Sequence, residues 1–533
     1  MRITFVAIGS EQLPVSLLAA IAKANGHQVG LAFSAALFHD RYNLENKWLG
    51  QIFDDTHEVI QAIKDQKPDV LAFSCITSTY QWMLGVAREA KELFPNVKVV
   101  FGGVHPSAVP DMVIARKEVD YIVVGEGDIA FVEILKAIEN GGATQPIANT
   151  RFKTPAGLVI TGIQSGFLQD LDSVPPFDKT LWEDHFRIAD KYLTMASRGC
   201  PYRCSFCFNN FFAQLPQEKK GKYVRTRSVD HLMYELVLAK KRYNIRRIDF
   251  QDDVFTVYKP WLKEFLYRFK KEINVPFQCL SHPHYVDDDV AQWLSEAGCE
   301  WVQMGVQSMD EEFKFRHLQR YEDSRKIVQA LESSHKFGLQ VKVDHMFGLP
   351  GEPAEAQEKA RVLYCEQKPD RIQTFWTCFL PGTEMMKQGL KDGLLTEEQA
   401  ERINEGVDFY FYRNMDNVKD PKMVRFFSSY EFLFRILPML PKSIVSKIQP
   451  RYLEWIPGWM ARGIGMVFDT INGLVKGNPD FIFYVNHYIF HVTNWTIKKL
   501  GFKGMKGTKP NPVEAEPFVK KALPAEDKEA QAA

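Results

Sequence analysis

Across the first 145 residues, short apolar runs alternate with stretches whose apolar positions recur at helical spacing. Ile3 to Ala7, Val29 to Phe33, Val70 to Ser74, Val97 to Phe101 and Tyr121 to Val124 read as strands. Pro14 to Asn25 reads as a helix, with Leu17, Leu18 and Ile21 on one face and Gly26 as its stop, and another is expected near Gln81 to Glu92. This alternation predicts an α/β domain, a Rossmann-like, doubly wound sheet of five parallel strands, whose ligands sit beyond the strand carboxyl ends. Those ends carry small and polar residues: Ser74-Cys75-Ile76-Thr77, Gly102-Gly103-Val104-His105-Pro106 and Gly125-Glu126-Gly127-Asp128.

Residues 146–190 carry Pro146, Pro155, Pro175 and Pro176 with little periodicity, and read as a linker. A second βα series occupies 191–400, with strands expected at Tyr192 to Ala196, Arg247 to Gln251, Phe277 to Ser281, Trp301 to Gly305, Gln340 to Phe347 and Arg371 to Phe379. Helical stretches such as Val229 to Tyr243 and Ser324 to Phe337 lie between them, so this span predicts a partial (β/α)6 barrel of the TIM type. Residues 401–500 turn helical and aromatic, and 501–533, rich in Gly, Lys, Pro, Glu and Ala, read as a disordered tail.

Composition narrows the function classes. A chain of 533 residues is too long for a small binding module, and 45% hydrophobic with 25% charged residues is the balance of folded globular protein. Lys plus Arg equals Asp plus Glu at 66 each, so no global attraction to nucleic acid is expected. The run Ile3 to Ile8 after Met1-Arg2 is shorter than a secretory signal requires, which predicts a cytoplasmic protein.

Eight cysteines are too sparse for a disulfide scaffold, but Cys200, Cys204 and Cys207 stand at C-x3-C-x2-C spacing directly after an expected strand. A structural zinc would need a fourth ligand, and His282 or His284 could reach it only from another strand. Three thiolates on one loop suit a 4Fe-4S cluster with its fourth iron left open to a small molecule.

With these residues the chain resembles the radical S-adenosylmethionine (AdoMet) superfamily. There, three such cysteines hold the cluster, and AdoMet chelates the open iron through its amino and carboxylate groups. Phe206 matches the aromatic position before the last cysteine, and Asp252 and Asp253 stand where acceptors meet the AdoMet amino group. Gly305-Val306-Gln307-Ser308 resembles the segment at the AdoMet ribose, although many relatives have Glu where Gln307 stands, and Arg320 is a partner for the carboxylate. Gly348-Leu349-Pro350-Gly351-Glu352 and Pro381-Gly382-Thr383 look like family turn motifs.

The N-terminal domain resembles the cobalamin-binding domain attached to one large class of this superfamily. Ser74, Gly102, Gly103, Gly125, Glu126 and Gly127 match its ligand loops, where glycines let the backbone approach the corrinoid. The Asp-x-His-x-x-Gly motif that supplies an axial histidine elsewhere has no counterpart; Phe38-His39-Asp40-Arg41 does not match it. The resemblance implies cobalamin without a histidine on cobalt, and reduced flavodoxin or ferredoxin as electron donor. It also implies a 5′-deoxyadenosyl radical that takes hydrogen from an unactivated carbon, which then receives methyl from cobalamin. Oxidation, cyclisation or carbon–carbon coupling is the competing outcome, and a non-catalytic iron–sulfur scaffold or sensor is a third reading.

His345 and Cys378, on the fifth and sixth barrel strands, read as core residues or as substrate contacts in the lumen. Between Arg425 and Leu500 nine basic residues face four acidic ones, and Phe481 to Ile497 carries no Asp, Glu, Lys or Arg while being dense in aromatics. That combination suits peripheral contact with the inner face of a membrane and a lipid or isoprenoid-like substrate; a helical cap on the barrel, with a soluble small-molecule substrate, is the alternative.

Overall fold

The computed structural model describes residues 1–40, 44–154, 156–215, 221–407, 421–456 and 458–513. Strands β1 (Arg2–Ile8), β2 (Gln28–Ser34), β3 (Val70–Ser74), β4 (Lys98–Gly102) and β5 (Tyr121–Val123) pair in parallel in the order β2-β1-β3-β4-β5. Their runs are continuously apolar because helices cover both faces. Leu13–Ala24 and Ala130–Glu139 pack on one side over Ile3, Phe5 and Val100, while Thr56–Gln66 and Tyr80–Leu93 pack on the other over Val6, Leu71 and Phe73. The segment read as a linker departs from expectation: β6 (Thr150–Lys153) and β7 (Val159–Thr161) add two antiparallel strands to the edge at β5. The rest of that segment docks the two halves of the chain together. Trp182 is fully buried and donates to the Ser16 hydroxyl at 2.8 Å, and buried Lys179 pairs with Glu11 while donating to the Leu193 carbonyl at 2.6 Å.

Strands β8 (Tyr192–Thr194), β9 (Ile248–Phe250), β10 (Phe277–Ser281), β11 (Cys299–Gln307), β12 (Gln340–Phe347) and β13 (Arg371–Trp376) form a second, all-parallel sheet in chain order, the open barrel expected. Alternate residues divide by face. Phe250 and Phe277 stack outward with Phe265 and Phe269 of helix Lys259–Glu272, whereas the polar alternates Asp249, Gln278, Gln303, Lys342 and Asp344 turn to the concave side.

The carboxyl-terminal helices close this barrel. Helix Pro421–Ile436 lays Phe427 and Phe434 against Phe347, Trp376 and Tyr364, covering the edge at β13 where a full barrel would continue. At the amino-terminal end of the strands, helix Pro479–Lys499 begins with Asp480, which takes hydrogen bonds from Lys191 at 2.7 Å and Gln278 at 2.8 Å and an ion pair from Lys342. Lys191 also holds Asp249 at 2.8 Å, and Arg371 holds Asp469 of helix Gly458–Val475 through two nitrogens at 3.0 and 2.8 Å. Burial alone would raise the Asp480 carboxyl pKa, but Lys191 and Lys342 outweigh it and hold it well below the usual range.

The surplus of basic residues in this region is thus partly taken up by ion pairs within the protein, two of them at its surface: Lys476 pairs with Asp370, Arg435 with Glu431 and Lys498 with Glu58. The aromatic run from Phe481 is likewise turned into the fold, with Phe483 and His487 stacked on Phe186, Tyr488 against Phe38 and Trp495 against Phe53. The tail also differs from the sequence reading: Thr508 is buried and bonds to Glu183, Phe186 and Ile188, and the Asn511 N–H donates to the Arg242 carbonyl at 2.7 Å. The remainder of that tail, 514–533, and the 408–420 part of the helical region lie outside the described residues.

Removing Asp480 strips buried Lys342 of its ion-pair partner and leaves Lys191 with Asp249 alone, and stranding a buried charge costs about 3–5 kcal/mol in comparable cases. Asp480→Ala is therefore expected to lower the urea midpoint with a stability loss of that order; a loss under about 1 kcal/mol would show that these charges do not tie the cap to the barrel.

Candidate active site

Loops at the carboxyl ends of both sheets meet where Glu126 and Asp128, after β5, pair with Arg225 and Arg198 beside the cysteine loop. After β8 the chain makes a short ribbon, Ser197–Arg198 paired with Arg225–Thr226, and turns at Gly199. Gly199 has φ +85°, and a Cβ there would lie 2.3 Å from the Tyr223 carbonyl oxygen, so only glycine fits. Ser205 anchors the middle of the loop: its N–H donates to the Leu318 carbonyl at 3.0 Å, its hydroxyl to the His317 carbonyl at 2.7 Å, and its carbonyl accepts from Met385 N–H at 2.9 Å. Cys207 caps helix Phe208–Ala213, its sulfur accepting from Asn209 N–H at 3.5 Å. Phe206 is half-buried and packs on the core of Phe313, Leu318 and Phe379.

Burial raises the Cys200 thiol to about 12 and the Cys207 thiol to about 11, and raises Cys204 as well. The neighbouring thiols and Asp253 add to the rise at Cys200 and Cys207, while the Arg320 guanidinium works against it at Cys204. Three thiols in such surroundings stay protonated unless a cationic centre takes them as thiolates. Among the described residues, no group of three or more His, Cys, Asp or Glu side chains gathers tightly enough for a single metal ion. Three thiols on one loop are a donor set that suits a cubane, in which each cysteine takes a different iron. His282 supplies no fourth ligand: its ring stacks on Tyr202 with centroids 3.9 Å apart, and its Nε2 faces Glu322 at 3.5 Å.

Behind the loop lies a charged hub that the motif does not reveal. Glu322 is buried and takes Arg320 at 2.6 Å, Lys314 at 3.3 Å and His282. Burial would raise its pKa, yet the Arg320 charge, with the His282 hydrogen bond and the Lys314 charge, holds the carboxyl well below its usual range. Arg320, so anchored, reaches the Gly305 carbonyl and lies 4.0 Å from the Cys204 sulfur. Gln307 has φ +64°, and its amide nitrogen folds back over Gly305, 2.6 Å from where a Cβ would stand.

The two expected amino-group acceptors separate. Asp252 is fully buried, accepts the Ala196 N–H at 3.1 and 3.0 Å and the Ser197 hydroxyl, and so fastens β9 to the start of the cysteine loop; burial raises it to about 6. Asp253 remains exposed in the cleft, with Asn209 donating to it at 2.8 Å and Tyr223 donating to Asn209 at 2.6 Å. Ser308, expected at the ribose, is also turned away. Its hydroxyl donates to buried Glu352, from which a chain runs through Gln357 at 2.9 Å to His345 at 2.9 Å and Tyr364 at 3.0 Å. His345 is fully buried between β12 and the helices outside it and does not line the lumen; Cys378 is buried.

On the facing side, the loops after β3, β4 and β5 make a ledge. Ser74 and Gly102 sit side by side at its root, and Ser107 ties the loops together, donating to the Gly103 carbonyl at 2.7 Å and accepting from Gly125 N–H at 3.0 Å. Ile76 and Ile129 stand exposed at 51% and 62% on the loops after β3 and β5 and make this ledge apolar. Gly102 leaves ordinary space for a Cβ, nearest atom 3.7 Å, and Gly127 does too, at 3.6 Å. Gly103 is different: with φ +99° and a Cβ that would lie 2.7 Å from the Cys75 carbonyl oxygen, it is required by the loop itself rather than by a ligand. His105 is buried behind this ledge against Tyr80, Nδ1 paired to Thr77 at 3.2 Å, and burial lowers it to about 3.

Glu126 does not face the ledge as a ligand contact. It grips Arg225 with oxygen–nitrogen distances of 2.9 and 2.8 Å and accepts Leu168 N–H at 3.0 Å, while Asp128 grips Arg198 at 2.9 and 2.8 Å. These two bidentate pairs lock the ledge to the ribbon that carries the cysteine loop. Arg198, Arg225, Asp128, Glu322, Asn209 and Tyr223 are thus site residues that motif reading missed; only the neighbourhood of Arg198 and Asp128 to the two motifs hinted at any of them.

Two outcomes follow from this geometry. Gly103→Ala is expected to destabilise the fold by about 1–3 kcal/mol in thermal unfolding, while Gly102→Ala leaves stability within about 0.5 kcal/mol. Burial raises Glu352 to about 8, so between pH 4.5 and 8 the folded state holds a proton that the unfolded state releases. Its contribution to stability is full below pH 4.5 and lost as pH rises through 8, by up to about 1.4 kcal/mol per unit; Glu352→Gln should remove that slope from urea titrations across this window.

Comparison with known proteins agrees with this arrangement. The B12 binding domain family matches residues 15–135 and the Radical SAM superfamily matches residues 195–362. An uncharacterized methyltransferase of Pyrococcus horikoshii is 26% identical over 388 residues, covering 71% of this chain and 82% of that protein. The anaerobic magnesium-protoporphyrin IX monomethyl ester cyclase of Rubrivivax gelatinosus is 22% identical over 338 residues, 61% of this chain and 58% of that one. Among solved structures, the radical S-adenosylmethionine methyltransferase TsrM from Kitasatospora setae, with cobalamin and a 4Fe-4S cluster bound, superposes with TM-score 0.57 at 16% identity, covering 73% of this chain and 78% of that one. The cobalamin-dependent S-adenosylmethionine radical enzyme OxsB, with aqua-cobalamin and S-adenosylmethionine bound, gives TM-score 0.60 at 14% identity, covering 92% and 84%. At such identities the superpositions establish the fold, and the two matched domains establish the family: the chain belongs to the radical SAM superfamily, in the class that carries a B12-binding domain ahead of the radical SAM domain.

Proposed function

We propose that the protein uses a 4Fe-4S cluster, AdoMet and cobalamin to methylate an unactivated carbon of a small-molecule substrate. The observation that carries this reading is the double clamp of Glu126 on Arg225 and Asp128 on Arg198, which holds the three-cysteine loop opposite an apolar ledge at the ends of β3, β4 and β5. When bound, the cluster with AdoMet supplies a one-electron source of a carbon radical, and the corrinoid supplies a transferable methyl group. The chain's own residues then bind and orient. Cys200, Cys204 and Cys207 hold the cluster; Arg320, anchored by Glu322, sets a positive charge beside Cys204. Asp253 offers a carboxylate to the AdoMet ammonium, and Gln307 an amide to the ribose. Ser74, Gly102, Gly125 and Gly127 let the corrinoid lie close to the backbone, and buried His105 offers cobalt no nitrogen. Reduced flavodoxin or ferredoxin would supply the electron.

A non-methylating outcome such as cyclisation is the second reading, favoured by the likeness to a cyclase. Anaerobically reconstituted protein given AdoMet labelled in its methyl group separates them, because label appears in product only if methyl is transferred. The cluster assignment has its own test. Cys200→Ala, Cys204→Ala or Cys207→Ala should each abolish iron–sulfur absorbance and AdoMet cleavage, while Cys299→Ala, a buried residue at the start of β11, retains both. Undiminished cleavage in a triple-alanine variant would end this reading.

A further inference from the structure

Helix Gly458–Val475 packs Ala461 and Phe468 on the core, yet it leaves a second apolar face uncovered. Its inward side presents small and polar residues: Gly465 against Phe432 and Arg435, Gly473 against Phe481, buried Asn472 donating to the Asp370 carbonyl at 3.0 Å, and Asp469 on Arg371. Its outward side presents Ile464, Val467, Ile471, Leu474 and Val475, spaced to share one face and exposed at 38%, 58%, 41%, 58% and 76%. Asp469 is the one charged residue from Gly463 to Val475, and it is bound inward, so this face carries no charge. A contiguous apolar face of this kind calls for a partner.

We propose that this face is a docking surface for an anionic lipid membrane. Charge and side-chain type in the segment leading into the helix decide the occupant. The exposed charges among the described residues from Pro441 to Ile456 are Lys442, Lys447 and Arg451, all positive, while the carboxylate there, Glu454, is half-buried. Tyr452 and Trp455 stand exposed beside them at 57% and 75%, with the Arg451 guanidinium over the Tyr452 ring at 5.0 Å. Cations that meet lipid phosphates, aromatic rings at headgroup level and a charge-free aliphatic face are the three components of interfacial binding. The association is peripheral: among the described residues no helix is long and apolar enough to cross a membrane. The surface differs from the aromatic stretch Phe481 to Ile497, which packs into the fold, and it does not depend on the methyl-transfer reading.

The test uses the full chain and two vesicle types, equal phosphatidylglycerol and phosphatidylcholine, or phosphatidylcholine alone, in low and high salt without AdoMet. Cosedimentation is expected with the anionic vesicles at low salt, weakened by high salt. The variant Val467→Ser/Ile471→Ser/Leu474→Ser should bind at least about tenfold more weakly, and Lys442→Gln/Lys447→Gln/Arg451→Gln should lose the salt dependence, both keeping the parent circular dichroism and melting temperature. The proposal is overturned if the full chain stays in the supernatant with anionic vesicles at low salt, or if the apolar variant binds as well as the parent. It is equally overturned if the parent binds no vesicles but sediments as a dimer that the apolar variant converts to monomer, since the face would then join two copies of the chain.

Discussion

Two carboxylates on one loop set the geometry on which everything else in the cleft depends. Glu126 and Asp128 follow β5, and their guanidinium partners Arg225 and Arg198 form the ribbon from which the cysteine loop hangs. Planar, bidentate pairing resists both translation and rotation, which a single hydrogen bond does not. Arg225 and Asp128 are buried, so losing either partner would strand a charge in a poorly solvated site. The ledge and the cysteine loop therefore behave as two walls of one cavity rather than as neighbouring domains free to slide.

The same logic recurs at the other end of the barrel. A half-open sheet of six strands exposes an edge and an empty lower mouth, and the carboxyl-terminal helices fill both by different means. Aromatic packing of Phe427 and Phe434 covers the edge, whereas ionic contacts of Asp480 and Asp469 with Lys191, Lys342 and Arg371 close the mouth. Using polar contacts inward leaves aliphatic side chains of helix Gly458–Val475 facing outward, so the closure of the barrel and the apolar outer face are two consequences of one arrangement.

Within the cleft, buried polar chains surround the positions that meet ligands. Asp252 fastens β9 to the loop start, Ser308 begins the chain through Glu352 to Tyr364, and Glu322 orients Arg320. Each of these residues is buried and bonded to protein, so each rigidifies a neighbour instead of contacting a ligand. Asp253, by contrast, is exposed, and Gln307, Cys200 and Cys207 are half-buried, so these groups stay open to a ligand.

By itself the sequence determined what is local. Strand and helix periods and the C-x3-C-x2-C spacing are properties of contiguous chain, and they sufficed for two α/β domains in order, a candidate cluster loop and the resemblance to the family. Partners distant in sequence were another matter. Glu126 meets Arg225 across 99 residues, Asp128 meets Arg198 across 70, and Lys191 meets Asp480 across 289. No spacing rule encodes such pairs, because they exist only once sheets twist and helices dock. For that reason Asp252 and Asp253 look equivalent in sequence yet face opposite ways, as successive residues leaving a strand do. The basic, aromatic carboxyl-terminal region could likewise be read as membrane surface or as barrel cap; tertiary packing made the aromatic stretch part of the cap and exposed the aliphatic face of the helix before it.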